Sequence, residues 1–169
     1  VPVEEVAGKS ISQVVIGSSA NPGLRDFWIA GKIVEGKSTS PEVSFDINPT
    51  SRQVMQNMIK NRTFANLITS GARYHQSGCM GCIGMGQAPA SGTISLGTMP
   101  RNFPDRSGTK DDKVHLCSPE TAAASALTGK ITDPRTLADT HQMDYPKFEY
   151  PTYEIINRDM LVAPPNDNQ

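Results

Sequence analysis

The sequence predicts an α/β domain with a largely parallel sheet, and three observations carry that prediction. The run Ser12-Gln-Val-Val-Ile16 ends in the small residues Gly17-Ser18-Ser19 and leads into a helical pattern. That order, strand then tight turn then helix, opens a βαβ unit. A second strand-then-helix pattern follows at Val43–Ile47 and Ser51–Ile59. A capped alanine-rich segment, Ser118 to Gly129, then offers a small face suited to close packing on a sheet. Strands alternating with helices belong to parallel α/β architectures.

The elements follow in chain order. Residues 12–16 read as a buried strand. Asn21 is the expected N-cap of the first helix and Pro22 its first residue. Leu24, Phe27, Trp28 and Val34 line one face of that helix. Val43-Ser-Phe-Asp-Ile47 alternates as a second strand, and Pro49-Thr50-Ser51 starts a helix carrying Val54, Met55, Met58 and Ile59. Phe64–Ile68 fits either strand or helix. Residues 78–92 are rich in Gly, Ser and Pro and read as loop. Thr93-Ile-Ser-Leu96 is a third strand, and residues 101–113 are polar and turn-rich. Ser118-Pro119-Glu120 caps a helix over Thr121–Leu127, which Gly129 ends. The expected domain is therefore 1–139, with 140–169 an extended linker or wrapping tail, frayed after Ala163.

Composition narrows the function. A chain of 169 residues fits one ordinary domain. Sixteen basic against seventeen acidic residues leave a net charge of −1, which argues against nucleic-acid binding. No apolar run approaches the roughly 20 residues a membrane span needs. Three cysteines do not make a disulfide scaffold, so a reducing compartment, cytoplasmic or mitochondrial matrix, is expected. The start, Val1-Pro-Val-Glu-Glu, has neither signal-peptide character nor an initiator Met, and the expectation is a piece of a longer protein.

Three segments carry candidate chemistry. In Gly78-Cys79-Met80-Gly81-Cys82-Ile83-Gly84-Met85-Gly86, two thiols at C-x2-C spacing lie among glycines. A short turn brings both sulfurs to one side, where they can share a metal centre. Glycines also let backbone N–H groups line an anionic cluster or phosphate. A zinc ribbon lacks its second pair, a thioredoxin-like site fits the glycines poorly, and two unligated thiols remain an alternative. Arg101 and Arg106, five positions apart, suit a bidentate clamp on a small carboxylic acid. The alternative is two surface arginines paired with Asp105, Asp111 or Asp112. Ser18-Ser19-Ala20-Asn21 ends the first strand, where open α/β sheets bind ligands; an ordinary helix start is the alternative. His75 lies four residues before Cys79 and is either a further member of that site or a solvent-facing residue; His115 and His141 are scattered. Cys117 reads as a small buried hydrophobe.

Taken together, four segments resemble the aconitase superfamily over about residues 12–135. The family pattern runs I-G-S-C-T-N, C-G-x-C-[IL]-G, N-R-N-F-x-G-R and S-P-E-x-x-x-A-x-A-x-x-G. Here the same order reads Ile16-Gly17-Ser18-Ser19-Ala20-Asn21, Cys79-Met80-Gly81-Cys82-Ile83-Gly84, Pro100-Arg101-Asn102-Phe103-Pro104-Asp105-Arg106, and Ser118-Pro119-Glu120 through Ala126 to Gly129. The resemblance implies the third of four domains, a three-layer α/β/α unit with a mainly parallel sheet. It implies a hydro-lyase acting on a citrate-like hydroxy acid, in which three cysteines hold a [4Fe-4S] cluster with one iron open as a Lewis acid. Cys79 and Cys82 would be two of those ligands, and Arg101 and Arg106 would bind substrate carboxylates. The catalytic base would lie in the other domains, and the tail would lead toward the last of them.

Three departures qualify the resemblance. Ser19 stands where the first cluster cysteine belongs, and a serine oxygen is a much poorer iron ligand than a thiolate. Pro100 replaces an Asn, and Asp105 replaces a Gly while adding a carboxylate beside a carboxylate site. The expected partners are a small carboxylic acid and the remaining domains of the parent chain. The isolated chain is expected to be inactive and to hold no intact cluster. A non-catalytic binding or regulatory module is the second reading, and a zinc- or mononuclear-iron-binding domain the third.

Overall fold

The structure is a computed structural model, and it describes residues 1–137, 144–149 and 162–163. Five parallel strands form one sheet in the order β3-β2-β1-β4-β5. A short helix α1 (Val3–Val6) precedes β1 (Gln13–Gly17), α2 (Leu24–Val34) and β2 (Ser44–Asn48). Then come α3 (Arg52–Lys60), α4 (Thr63–Thr69), β3 (Arg73–Tyr74), β4 (Ile94–Gly97), β5 (Lys113–Leu116) and α5 (Pro119–Thr128). The strand–helix alternation thus yields the parallel α/β sheet that it predicts.

β1 is central, and the period of two along it writes two different faces. Val14 and Ile16 join Phe45, Ile47 and Leu96 in the main core, against Phe27, Ile33 and Met58 of the helices. Val15, between them, belongs to a separate small cluster with Cys82 and Met99. One layer is therefore helical, with α4 and α5 both packed on α2. The layer opposite is made by the long connections 75–93 and 98–112, which include a single 3₁₀ turn at Gly81–Ile83. Right-handed crossovers account for this split. The chain winds outward from β1 to β3, then returns past β1 to β4, so connections on the two sides of β1 cover opposite faces.

Local chemistry explains the helix ends. The Ser118 hydroxyl accepts from the Thr121 N–H at 3.2 Å, and Gly129 closes α5 in the left-handed region at φ 75°. Such an N-cap is worth about 1 kcal/mol. Ala122, Ala123, Ala124 and Ala126 are fully buried, so α5 lies close against β1 and α2. The Ser51 hydroxyl caps α3 by accepting from the Val54 N–H. Along α3, Met58 is buried but Ile59 is exposed.

Several expectations need correction. Asn21 does not cap α2, and Pro22 is not its first residue. The cap is Gly23, whose N–H donates to the Asp26 carboxylate at 3.1 Å. Asn21 instead donates its side-chain N–H to the Thr98 carbonyl at 2.7 Å. Phe64–Ile68 is helical, within α4; the Asn61 side chain accepts from the Thr63 N–H at its start. The edge strands β3 and β5 escape the sequence pattern because they are short and largely exposed, with little apolar alternation. The expected boundary at 139/140, most of the 140–169 tail, its fraying after Ala163 and His141 lie outside the described residues. Within the described stretch 144–149, Phe148 packs edge-on to Trp28 at 5.2 Å, and the Tyr145 hydroxyl donates to Glu120 at 2.8 Å. No helix among the described residues is long and apolar enough to cross a membrane.

Candidate functional site

The site lies beyond the carboxyl ends of β1, β2 and β4, where strand order reverses around β1. Open α/β sheets place their ligand crevice at this switch point. β1 and β4 are tied there by the Gly17 N–H, which donates to the Thr98 hydroxyl at 3.0 Å, and by the Asn21–Thr98 bond. Buried Ser18 turns the chain: its hydroxyl donates to the Asn21 carbonyl and accepts from the Ala20 and Asn21 N–H groups. Ser19 is left exposed, close enough to Cys79 for its hydroxyl to favour the thiolate there.

The cysteine loop is held from β2. The Asn48 side-chain oxygen accepts from the Met80 and Gly81 N–H groups at 3.1 and 3.3 Å, and its amide donates to the Gln76 carbonyl at 2.8 Å. The 3₁₀ turn ends at Gly84, φ 71°, which touches the arginine loop: a Cβ there would sit 2.0 Å from the Ser107 carbonyl oxygen. Only glycine tolerates that combination of backbone angle and contact. Cys82 is buried against Val15 and Met99, while Cys79 is half-buried and more open.

Arg106 reaches over both thiols. One terminal guanidinium nitrogen lies 3.8 Å from the Cys79 sulfur and 3.6 Å from the Cys82 sulfur. Its Nε is buried without a hydrogen-bond partner among the described residues. The guanidinium carbon sits 5.9 Å from the Phe103 ring centroid. The turn beneath is fixed by the Arg106 N–H donating to Phe103 O at 2.9 Å and the Gly108 N–H to Asp105 O at 3.1 Å. Asp105 adopts φ 70°, the left-handed conformation that glycine takes without strain. Arg101 is exposed, yet near enough for its charge to act on Cys82. Neither arginine forms an ion pair with Asp105, Asp111 or Asp112 among the described residues.

The two thiols sit in different fields. The hydrogen bond from Cys82 holds the Cys79 thiol below its usual range, and Arg106 and Ser19 add to that. Burial, together with Cys79, pushes the Cys82 thiol up to about 11. The structure thus brings Ser19, Cys79, Cys82 and Arg106 together, with Arg101 nearby. His75 is engaged from β2: its imidazole Nε2 lies 2.9 Å from the buried Asp46 carboxylate. His115 lies on β5. Cys117 packs against the helical core, and burial pushes its thiol up to about 12.

A [4Fe-4S] cluster, which the resemblance implies, can be tested against these donors. The pocket offers two thiols and one hydroxyl, and a guanidinium rests on both sulfurs. Among the described residues no three His, Cys, Asp or Glu side chains are grouped to hold a metal ion. The donor set is one thiolate short of three and does not fit a three-cysteine cubane.

Asn48, Asp46 and Thr98 were not among the residues the sequence singles out. Their signal is present in β2: in Phe45-Asp-Ile-Asn48, polar residues alternate with apolar ones and are themselves buried.

The sequence model of the aconitase family (aconitate hydratase) matches residues 2–129. The chain is 41% identical over 137 residues to the 3-isopropylmalate dehydratase large subunit 1 of Methanopyrus kandleri, covering 80% of this chain and 32% of that protein. It is 35% identical over 139 residues to the homoaconitase large subunit of Thermus thermophilus, covering 81% of this chain and 33% of that protein. A 3-isopropylmalate dehydratase large subunit from Geobacter sulfurreducens is 37% identical over 135 residues, with 79% and 31% covered. The chain therefore spans about a third of the length of the curated relatives it matches.

Proposed function

The chain belongs to the aconitase family, and from that premise we propose that it supplies the thiol and arginine domain of a hydro-lyase. The reaction is the removal and readdition of water on a hydroxy di- or tricarboxylic acid. The observation that carries this reading is the Arg106 guanidinium lying 3.8 and 3.6 Å from two thiols, beside Ser19, at the sheet's switch point. Arg106 and Arg101 are the carboxylate-binding residues in this reading. A guanidinium binds a carboxylate by two parallel hydrogen bonds.

The pocket's donor set is one thiolate short of a three-cysteine cluster site. What this chain contributes is substrate orientation. Two guanidinium groups on one loop fix carboxylates, and the cysteine loop walls the crevice. The general base and the remaining contacts come from other domains of the parent protein, and the compartment is intracellular. Residues 1–139 are the folded domain in this proposal, and 140–169 lead toward the next one.

Two measurements test the proposal. The 169-residue chain alone is expected to give no detectable hydration of cis-aconitate, and the full-length protein to give it for a related unsaturated acid. Iron and sulfide analysis of the full-length protein purified without oxygen is expected to show less than four of each. Ser19→Cys, reconstituted anaerobically, is expected to take up more iron and sulfide and to gain charge-transfer absorbance near 400 nm, an order-of-magnitude position (about 400 nm). Equal iron in parent and variant would sink the cluster-site ancestry of this pocket. A non-catalytic module would give no hydration in any form of the protein.

A further inference from the structure

Beneath the cysteine loop lies a group of buried polar side chains that the proposed chemistry does not use. Asp46 is completely buried at the middle of β2, on the face away from the helices. Its carboxylate accepts from the Ser44 hydroxyl at 2.8 Å, pairs with the Arg73 Nε at 3.3 Å and meets His75 Nε2 at 2.9 Å. The Arg73 guanidinium also donates to the Ser44 hydroxyl. A carboxylate on one ring nitrogen fixes which way an imidazole turns. The other side of the ring then faces Gly86, the last residue of the cysteine loop: a Cβ at Gly86 would lie 3.4 Å from His75 Nδ1.

Two residues further along β2, Asn48 faces the same way, as the strand period requires. It is also completely buried. Its three hydrogen bonds, to Gln76 O, Met80 N and Gly81 N, all go to the segment leading into and through the cysteine loop. The His75 N–H adds a fourth anchor by donating to the Ile47 carbonyl at 2.9 Å. The loop is therefore gripped at its entrance and turn by Asn48 and braced near its end by the Asp46–His75 pair. Arg106 on the two sulfurs and the contacts of Cys82 with Val15 and Met99 complete its supports among the described residues. Apart from Cys82, it carries no buried apolar side chain, and Ile83 and Met85 are exposed.

We propose that Asn48 and the Asp46–His75 pair are positioning residues that hold the Gly78–Gly86 loop closed, keeping Cys82 buried and both sulfurs under Arg106. Buried polar groups of this kind cost stability unless every partner is satisfied. Here their partners are concentrated on one loop, so what they fix is that loop. This holds whether or not the pocket takes iron, and it stands apart from the proposed hydro-lyase reaction.

The test uses full-length protein stripped of metal by a chelator. Two readouts follow the loop: the rate at which a maleimide labels Cys82, resolved from Cys79 by fragment mass spectrometry, and hydrogen exchange of the Met80–Gly86 peptide. Asn48→Leu keeps the bulk but removes the acceptor. It is expected to raise Cys82 labelling about tenfold or more, the scale of losing its three buried hydrogen bonds, and to speed loop exchange similarly. Exchange of α2 should stay at the parent rate. Asn48→Asp keeps an oxygen for the Met80 and Gly81 N–H groups but loses the donor to Gln76 O, and is expected to recover part of the protection. His75→Ala is expected to give a smaller rise of about threefold, the scale of one hydrogen bond, and His75→Gln, which can still donate to Asp46, to reverse it. Should Asn48→Leu fail to fold, the His75 pair decides. Labelling within twofold of the parent in His75→Ala, or in folded Asn48→Leu, overturns the proposal. So does an acceleration that neither Asn48→Asp nor His75→Gln reverses. Activity and iron content enter neither readout, so the hydro-lyase reading can fail while this one stands.

Discussion

The two faces of one sheet are built from different materials. The helix side is mainly apolar: Val14, Ile16, Phe45, Ile47 and Leu96 meet Phe27, Ile33 and a row of alanines. The other side, on the same strands, presents Gln13, Val15, Asp46, Asn48 and Ser95 to loops. The first face is held by area removed from water, which is non-directional and tolerant of exchange among apolar residues. The second is held by hydrogen bonds, which are directional and fix particular atoms. A fold can be carried by one face and a site by the other, because successive residues on a strand point oppositely.

The largest expected effect breaks the fold-bearing side. Phe27 is fully buried in the helical core. Phe27→Ala should cost about 3–5 kcal/mol, enough to unfold many domains of this size. Val15→Ala, on the loop side, removes two carbons from a cluster of only Cys82, Met99 and Cys79. It should cost less than half as much. Urea denaturation of both variants checks this; equal losses would erase the distinction between the faces.

Alkaline titration sharpens the comparison, since each face buries a thiol. Cys117 belongs to the helix side, where burial, with Glu120 as a lesser contributor, raises its thiol to about 12. Cys82 belongs to the loop side and is raised to about 11. A thiol raised in the folded state stays protonated after its unfolded counterpart has ionised near the ordinary value of 9.0. The unfolded chain then binds fewer protons, so stability falls as pH rises from about 9 toward each folded value. Cys79, lowered, has the opposite sign: its contribution is present above the unfolded value and lost as pH falls through the folded one. Thermal midpoints at pH 8 and 10 should therefore differ in the parent chain, and by less in Cys117→Ala. An unchanged difference would show that Cys117 contributes nothing to the alkaline loss.

How much was legible in the sequence follows the same division. Strands β1, β2 and β4 and helices α2, α3 and α5 show in the pattern because apolar period and capping residues encode them locally. The Ser118 cap and Gly129 stop of α5 are visible in a dozen residues. Edge strands β3 and β5 are not, since largely exposed residues carry little apolar signal. On the loop side the thiols and arginines stand out by residue type and spacing. Their supports do not. Asn48 and Met80 are 32 positions apart, and nothing local says that a buried asparagine faces a cysteine loop. Asn21 shows the opposite error: its local chemistry reads as a helix cap, but a long-range bond to Thr98 claims the side chain. Directional contacts between distant segments decide the site, and a local pattern does not contain them.

The smallest expected effect falls where the two descriptions meet, at Asp105. Its backbone sits at φ 70°, where a side chain costs energy and glycine does not. Asp is among the residues that tolerate this region best, so the strain is modest. Asp105→Gly relieves it but frees the unfolded chain, and the two largely offset, leaving a net gain of about 0.5 kcal/mol or less. Stability alone would barely register the change. Charge gives a cleaner signal. Burial raises the Asp112 carboxyl above its usual range, and the Asp105 carboxylate raises it further. Removing Asp105 should lower the Asp112 value, leaving the part due to burial in place. It also removes a negative charge from the turn that carries Arg106, which should favour binding of a carboxylate such as citrate. An NMR titration of the Asp112 carboxyl, run with and without citrate, reads both effects. A downward shift of Asp112 together with tighter citrate binding supports the arginine loop as a carboxylate site whose affinity Asp105 lowers. A downward shift without any change in citrate binding would separate the electrostatics of this turn from Arg106 and count against its role as the carboxylate arm.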